Sequence, residues 1–317
     1  MNNLGIHIFE QHTQLDCEIE LISFNLLSAL SWKEFQGPIH LYCNTMFLET
    51  LKKWGVDTVY DYINVDILNN KSNNIDYKEF WAFSKILVLD HLKNSKEKFT
   101  LVDNDLWLKG PIDTNRNYDV VVYHKENFDL NYHNNVYTDF DDFTPETFRK
   151  LDFDKSILPT NCALLTINNF EFIEEWVDLC KSIANFNYNS EIKTNHRSTK
   201  MCFIEQRLLP MLLSKKGLTL DTYLTTVYQS HLVEPQDGSE WYPRIENLSE
   251  KDSFMFDNIK HVWGMKRLFH YTEIKKLVVE SCLNSLSTYH MGDKPYFKLY
   301  TKLMESYLSP YPSPSFV

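Results

Sequence analysis

Asp103 and Asp105 close the stretch Phe99-Thr100-Leu101-Val102-Asp103-Asn104-Asp105-Leu106-Trp107, and of all residues in the chain they are best spaced for chemistry. The apolar run before them reads as a buried strand. In extended chain alternate side chains point to one side, so both carboxylates project toward one point. Ligands of open α/β sheets collect at the carboxyl ends of strands, which is where this pair falls. Two close carboxylates resist ionising together, and a hard divalent cation with oxygen ligands resolves the conflict. Asp and Asn also make turns, so the pair alone fits a plain turn equally well and needs company.

The elements that must position these acids are legible from hydrophobic spacing. Leu4 to Phe9, Pro38 to Asn44 and Thr58 to Val65 read as strands, with helical spacing over Leu21 to Trp32 and Met46 to Trp54. Strand and helix alternating at this interval predict an α/β fold with a mostly parallel central sheet flanked by helices. The Asn-rich segment from Leu68 to Asp76 reads as a surface loop, and Lys78 to Leu92 as a helix leading into the acidic strand. Tyr118 to Tyr123 and Ser156 to Asn168 read as strands, Phe170 to Ile183 and Lys200 to Leu213 as helices, and Leu218 to Val227 and Ile259 to Trp263 as extended chain. Asn127 to Asp142 reads as a loop or lid. Its acids Asp139, Asp141 and Asp142 precede Thr144-Pro145-Glu146, whose look of a helix start accounts for them better than a second metal site. Lys294 to Leu308 is an amphipathic helix expected to pack on the domain. The division expected is a catalytic domain over 1–270 and a helical C-terminal extension over 271–317.

Composition narrows the function classes. The 317 residues suit one large α/β domain, and 43% hydrophobic with 24% charged residues is ordinary for a globular protein. The chain has 8 Gly and contains neither G-x-G-x-x-G nor G-x-x-x-x-G-K-[ST], which counts against dinucleotide and P-loop enzymes. A formal charge of -11 counts against nucleic acid as a partner. The 6 Cys are scattered, mostly within apolar runs and without a C-x-x-C pair, and read as reduced core thiols of a cytoplasmic protein. Neither a signal peptide nor a transmembrane segment is expected.

Five short stretches then stand in a telling order: Trp81-Ala82-Phe83-Ser84-Lys85, Asp103-Asn104-Asp105, Asn161-Cys162-Ala163-Leu164-Leu165-Thr166-Ile167-Asn168, Glu205-Gln206 and His261-Val262-Trp263-Gly264-Met265-Lys266. Together they resemble the nucleotide-sugar glycosyltransferases of the GT-A fold, above all the family of glycogenin and the bacterial lipopolysaccharide galactosyltransferases. The resemblance covers the middle of the chain and hardly reaches beyond Arg267. It implies a GT-A-like fold and transfer of a sugar from a nucleoside diphosphate donor, with UDP as the expected nucleotide, to a saccharide, lipid-linked or protein acceptor.

The resemblance also implies residue roles. Asp105 and His261 would hold the metal, Asp103 would hold the metal or the ribose, and mixed carboxylate and imidazole ligation favours Mn²⁺ over Mg²⁺. Lys85 stands where the family has a basic residue, usually Arg, reaching the donor diphosphate or sugar; a lysine brings charge without the two-pronged grip. Asn161 would hold donor-sugar hydroxyls, with Cys162-Ala163 replacing the family's smaller pair. Glu205 would bind sugar hydroxyls, and Gln206 would lie near the anomeric carbon, in a reaction that retains configuration. Gly264 and Lys266 would face the phosphates, although Lys266 follows Gly264 one residue too soon and the usual Pro-Trp after it is missing. Trp241 and Tyr242 could stack on a sugar, though large aromatics are more often core. Two alternatives remain open at this stage: a metal-dependent hydrolase or phosphoryl-transfer enzyme using the same acids, and a non-catalytic nucleotide-sugar-binding protein of the same fold.

Overall fold

The computed structural model describes residues 3–13, 18–72, 74–77, 79–95, 97–128, 143–189, 197–225, 227–228, 255–256, 258–261, 279–280 and 282–308. In chain order the strands are β1 (Leu4–Phe9), β2 (Ile39–Cys43), β3 (Tyr62–Asn64), β4 (Phe99–Val102), β5 (Leu106–Leu108), β6 (Val120–Glu126), β7 (Thr160–Ile167), β8 (Leu220–Thr222), β9 (Val227–Tyr228), β10 (Met255–Phe256) and β11 (Ile259–His261). The helices are α1 (Glu18–Phe35), α2 (Thr45–Trp54), α3 (Asp66–Asn69), α4 (Phe83–Leu92), α5 (Glu146–Arg149), α6 (Ile173–Asn189), α7 (Arg197–Cys202), α8 (Leu208–Lys215) and α9 (Phe297–Leu308).

The main sheet runs β3-β2-β1-β4-β7-β6-β8, with β9 also on β6. All its pairings are parallel except those of β7, which is antiparallel to both β4 and β6. The α/β expectation with a mostly parallel sheet is met, and β7 makes the sheet mixed. A second, three-stranded sheet runs β10-β11-β5.

Alternation along the strands feeds two apolar layers. Ile6, Leu101, Val120, Val122 and Leu165 join the layer with α4, α6 and α8, whereas Val102, Val121, Tyr123 and Leu164 join the layer with α1 and α2. Helix α1 buries residues around most of its circumference, from Ile22 through Trp32, because it lies beneath the main sheet, touches β5 and carries α9. Leu299 and Leu303 of α9 are buried in that same layer.

Three local expectations are corrected. The chain from Thr58 to Val65 opens as a 3₁₀ turn, Val56–Val59, and is a strand only over Tyr62–Asn64. Leu68 belongs to α3 and is buried, not part of a surface loop. Helix α4 begins at Phe83, since Phe80 and Phe83 turn inward against each other and the chain before them forms turns. The lid segment 129–142, with its three acids, lies outside the described residues, as do Trp241 and Tyr242.

Close packing of β1 on α1 depends on Gly5. A Cβ there would lie 2.4 Å from Trp32 Nε1, and Trp32 is fully buried with its indole donating to Asn3 O at 3.3 Å. The indole has no room to yield. Gly5→Ala is expected to cost about 1 to 3 kcal/mol of stability by overpacking, read from the midpoint shift in urea denaturation.

Candidate metal site

The acidic stretch is placed by backbone bonds on both sides. Strand β4 is buried at all four residues between β1 and β7, and at its end Asp103 N donates to Ala163 O at 2.8 Å. Leu106 N then donates to Asp103 O at 3.1 Å, closing a turn with Asn104 and Asp105 in its middle. Beyond the turn, β5 leaves the main sheet and pairs antiparallel with β11, setting His261 opposite Leu106. That register brings His261 Nε2 to 3.7 Å from Asp105 Oδ1. Ligand atoms of Asp103, Asp105 and His261 all lie within 4.8 Å of one another, close enough to share one cation.

The imidazole is held for such a role. Its ring meets Tyr123 edge to face, with centroids 5.4 Å apart, and Nε2 is buried without a hydrogen-bond partner among the described residues. An orphaned buried nitrogen of this kind costs about 1 to 3 kcal/mol. A cation that takes the lone pair of that nitrogen removes the cost.

Lys85 and Glu205 complete the acidic cluster from a second side. Lys85 Nζ lies 2.7 Å from Asp103 Oδ1 and 2.6 Å from Glu205 Oε1, and both Lys85 and Glu205 are largely buried. Burial works against the Lys85 charge, yet Asp103 and Glu205 outweigh it and hold the ammonium pKa above its ordinary value. Burial also pushes the Glu205 carboxyl up, a trend Lys85 opposes and Asp103 reinforces.

Glu205 and Gln206 sit in a π-helical turn, Phe203–Arg207, between α7 and α8. Such turns loosen the helical ladder and are common at functional sites. Here three carbonyls of the turn accept bonds from outside the helix. Trp176 Nε1 donates to Ile204 O at 3.0 Å, Cys162 Sγ to Glu205 O at 3.5 Å, and Thr160 Oγ1 to Gln206 O at 3.2 Å. Gln206 Oε1 is buried without a partner among the described residues.

Asn161 is anchored at both ends of its amide. Nδ2 donates to Glu126 Oε1 at 2.9 Å, and Oδ1 accepts from Ala163 N at 3.0 Å, which leaves one amide hydrogen for another acceptor. The register between β6 and β7 slips just there, since Val122 faces Leu165 but His124 faces Asn161. Bulges of this sort re-aim side chains beside active sites. This one sets Ala163 to hold Asp103 N through its carbonyl and Asn161 through its amide.

The structure therefore gathers Lys85, Asp103, Asp105, Glu205 and His261 into one cluster, with Gln206 and Asn161 on the elements beside it. Gly264 and Lys266 lie outside the described residues.

Two buried groups near the cluster were not singled out by sequence reasoning. Glu126 is a carboxyl at the end of β6 that raises the Glu205 pKa. The signal for it was the same as for Asp103: an apolar strand, Val120-Val121-Val122-Tyr123, that ends in polar residues. His7 is fully buried in β1, opposite Val102 of β4. Tyr60 donates its hydroxyl hydrogen to Asn25 Oδ1, so its oxygen accepts from His7 Nδ1 at 2.9 Å, and His7 Nε2 accepts from Ser28 Oγ at 2.9 Å. Ser28 Oγ also lies 3.4 Å from Asp103 O.

A sequence profile described as a family of unknown function (DUF6734) matches residues 10–276. The chain belongs to that family. No curated protein sequence matches it. Among solved structures it is similar to mouse xyloside xylosyltransferase 1 in its apo form, with a TM-score of 0.42 and 10% identity, over 82% of this chain and 97% of that one. It is also similar to galactosyltransferase LgtC in complex with donor and acceptor sugar analogs, with a TM-score of 0.41 and 9% identity, over 86% of this chain and 94% of that one.

Proposed function

We propose that this DUF6734 chain is a metal-dependent glycosyltransferase that moves a sugar from a nucleoside diphosphate donor, UDP by expectation, to an acceptor hydroxyl. The observation that carries the reading is the three-residue cluster of Asp103, Asp105 and His261 at the carboxyl end of a central strand, with the imidazole Nε2 buried and without a hydrogen-bond partner among the described residues. Two carboxylate oxygens and one imidazole nitrogen suit a first-row dication such as Mn²⁺ better than Mg²⁺. When bound, the cation neutralises charge on the departing diphosphate. Around it, Lys85 supplies an ammonium for the phosphates, and Gly264 and Lys266 are expected to face them as well.

Glu205 and Asn161 orient the sugar through its hydroxyls, and Gln206 stands next to the reacting carbon. An amide there is no general base, which favours retention of configuration over inversion. Residues 1–270 form the catalytic domain in this reading, and 271–317 form an extension that packs on it. The acceptor is a saccharide, a lipid-linked sugar or a protein hydroxyl. Cys43, Cys162, Cys180 and Cys282 are buried thiols outside any disulfide, as a protein of the reducing cytoplasm would have them. No helix among the described residues is long and apolar enough to cross a membrane.

The test is a screen of nucleotide-sugars for Mn²⁺-dependent release of nucleoside diphosphate, with and without added acceptor sugars. Release that rises with acceptor supports transfer, release indifferent to acceptor means hydrolysis, and metal-dependent binding without any turnover means a binding protein. His261→Ala is expected to lower turnover and weaken Mn²⁺ binding by at least about 10- to 100-fold, since losing even a group that only orients a metal ligand costs that much. Unchanged Mn²⁺ affinity in this variant would remove His261 from the site.

A further inference from the structure

Lys85 presents a conflict that the reading above does not resolve. Its ammonium already occupies Asp103 Oδ1 at 2.7 Å, and Asp103 is one of the three candidate ligands for the cation. A dication and an ammonium sharing that one carboxylate repel each other strongly at such separations. Glu205 holds the same ammonium at 2.6 Å from the other side, so losing Asp103 does not set Lys85 adrift.

We infer that Lys85 competes with the divalent cation for Asp103: as the cation binds, the ammonium gives up that oxygen, stays tethered to Glu205 and turns its freed hydrogens to the donor's diphosphate. This rests on the metal-dependent reading and extends it to an order of events. An ammonium has three hydrogens and no acceptor. One remains on Glu205, and the rest require oxygens that a diphosphate supplies. Cation and diphosphate then bind with positive coupling, because the first to arrive releases the group that the second needs.

The competition has an unusual sign. Removing a residue that merely orients Asp103 weakens cation binding, as loss of a supporting hydrogen bond does at metal sites. Removing a competitor strengthens it. The experiment titrates Mn²⁺ alone, and then Mn²⁺ with UDP, into wild type, Lys85→Met and Lys85→Met/Glu205→Gln, reading free Mn²⁺ by electron paramagnetic resonance. The double variant is included because Lys85→Met by itself strands a buried carboxylate, so the double variant decides if the single one does not fold.

The expected result is Mn²⁺ binding about tenfold tighter in the variants, in keeping with relief of a like charge. The strengthening of Mn²⁺ binding by UDP is expected to shrink by about tenfold. Mn²⁺ binding that is equal or weaker in the folded variants overturns the competition and leaves Lys85 as a support for Asp103. A wild type that binds no Mn²⁺ overturns both this inference and the metal reading beneath it.

Discussion

Asp105→Asn is expected to lower turnover by about 10³-fold or more and to abolish metal-dependent nucleotide binding while leaving the protein folded. A cation at a developing phosphate charge is worth several kcal/mol, and each 1.36 kcal/mol is a factor of ten in rate. Asp105 is the acid closest to the imidazole, and its carboxyl is buried with only 6% exposure. The amide keeps the volume and loses the charge. Burying a carboxylate is costly, so its removal should leave the melting temperature equal or higher. Activity and thermal denaturation measured on the same preparation separate the two effects. Full activity in a folded Asp105→Asn would end the assignment of the site, and a variant that fails to fold would place Asp105 in the architecture instead.

Acid should destabilise the protein through His7, well before its ordinary carboxylates titrate. Burial pushes the His7 pKa down from 6.5 to about 3, and the attraction of Asp105 only partly opposes it. A depressed folded pKa means that the unfolded chain binds the extra proton first. Stability from the neutral ring is therefore complete above about pH 6.5 and is lost as pH falls toward 3. At 1.36 kcal/mol per pKa unit the loss is roughly 2 to 3 kcal/mol by pH 4.5 and about 4 to 5 kcal/mol over the whole window. His7→Asn cannot gain that proton. Urea denaturation at a series of pH values should show wild type more stable than His7→Asn at pH 8, with the gap closing or reversing by pH 4.5. A gap that stays constant with pH would mean that the buried ring is not what titrates.

The same ring illustrates why part of the site escaped notice. In sequence His7 interrupts the run Leu4-Gly5-Ile6-His7-Ile8-Phe9 and gives no sign of a partner. Its partners are Ser28 in α1 and Tyr60 just past the 3₁₀ turn, 21 and 53 positions away. Glu126 was closer to legible, because it ends an apolar strand just as Asp103 follows one. Glu205-Gln206 is legible as a pair, but the bonds that the π turn accepts there from Trp176, Cys162 and Thr160 come from distant elements, and no local propensity encodes those.

What the sequence determined by itself was local and periodic: the buried strand before Asp103, the spacing of two acids, and the alternation of strand and helix that makes an α/β sheet. These follow from side-chain periods of 2 and 3.6 residues and need no distant contact. Only the tertiary structure decided which polar residues meet. His261 reaches Asp105 because β11 pairs with β5 in one register, and a slip of one residue would turn the imidazole to the opposite face of the strand. Lys85 meets both Asp103 and Glu205 because α4 and the π turn approach the end of β4 from one side, which joins positions 120 residues apart in the case of Glu205.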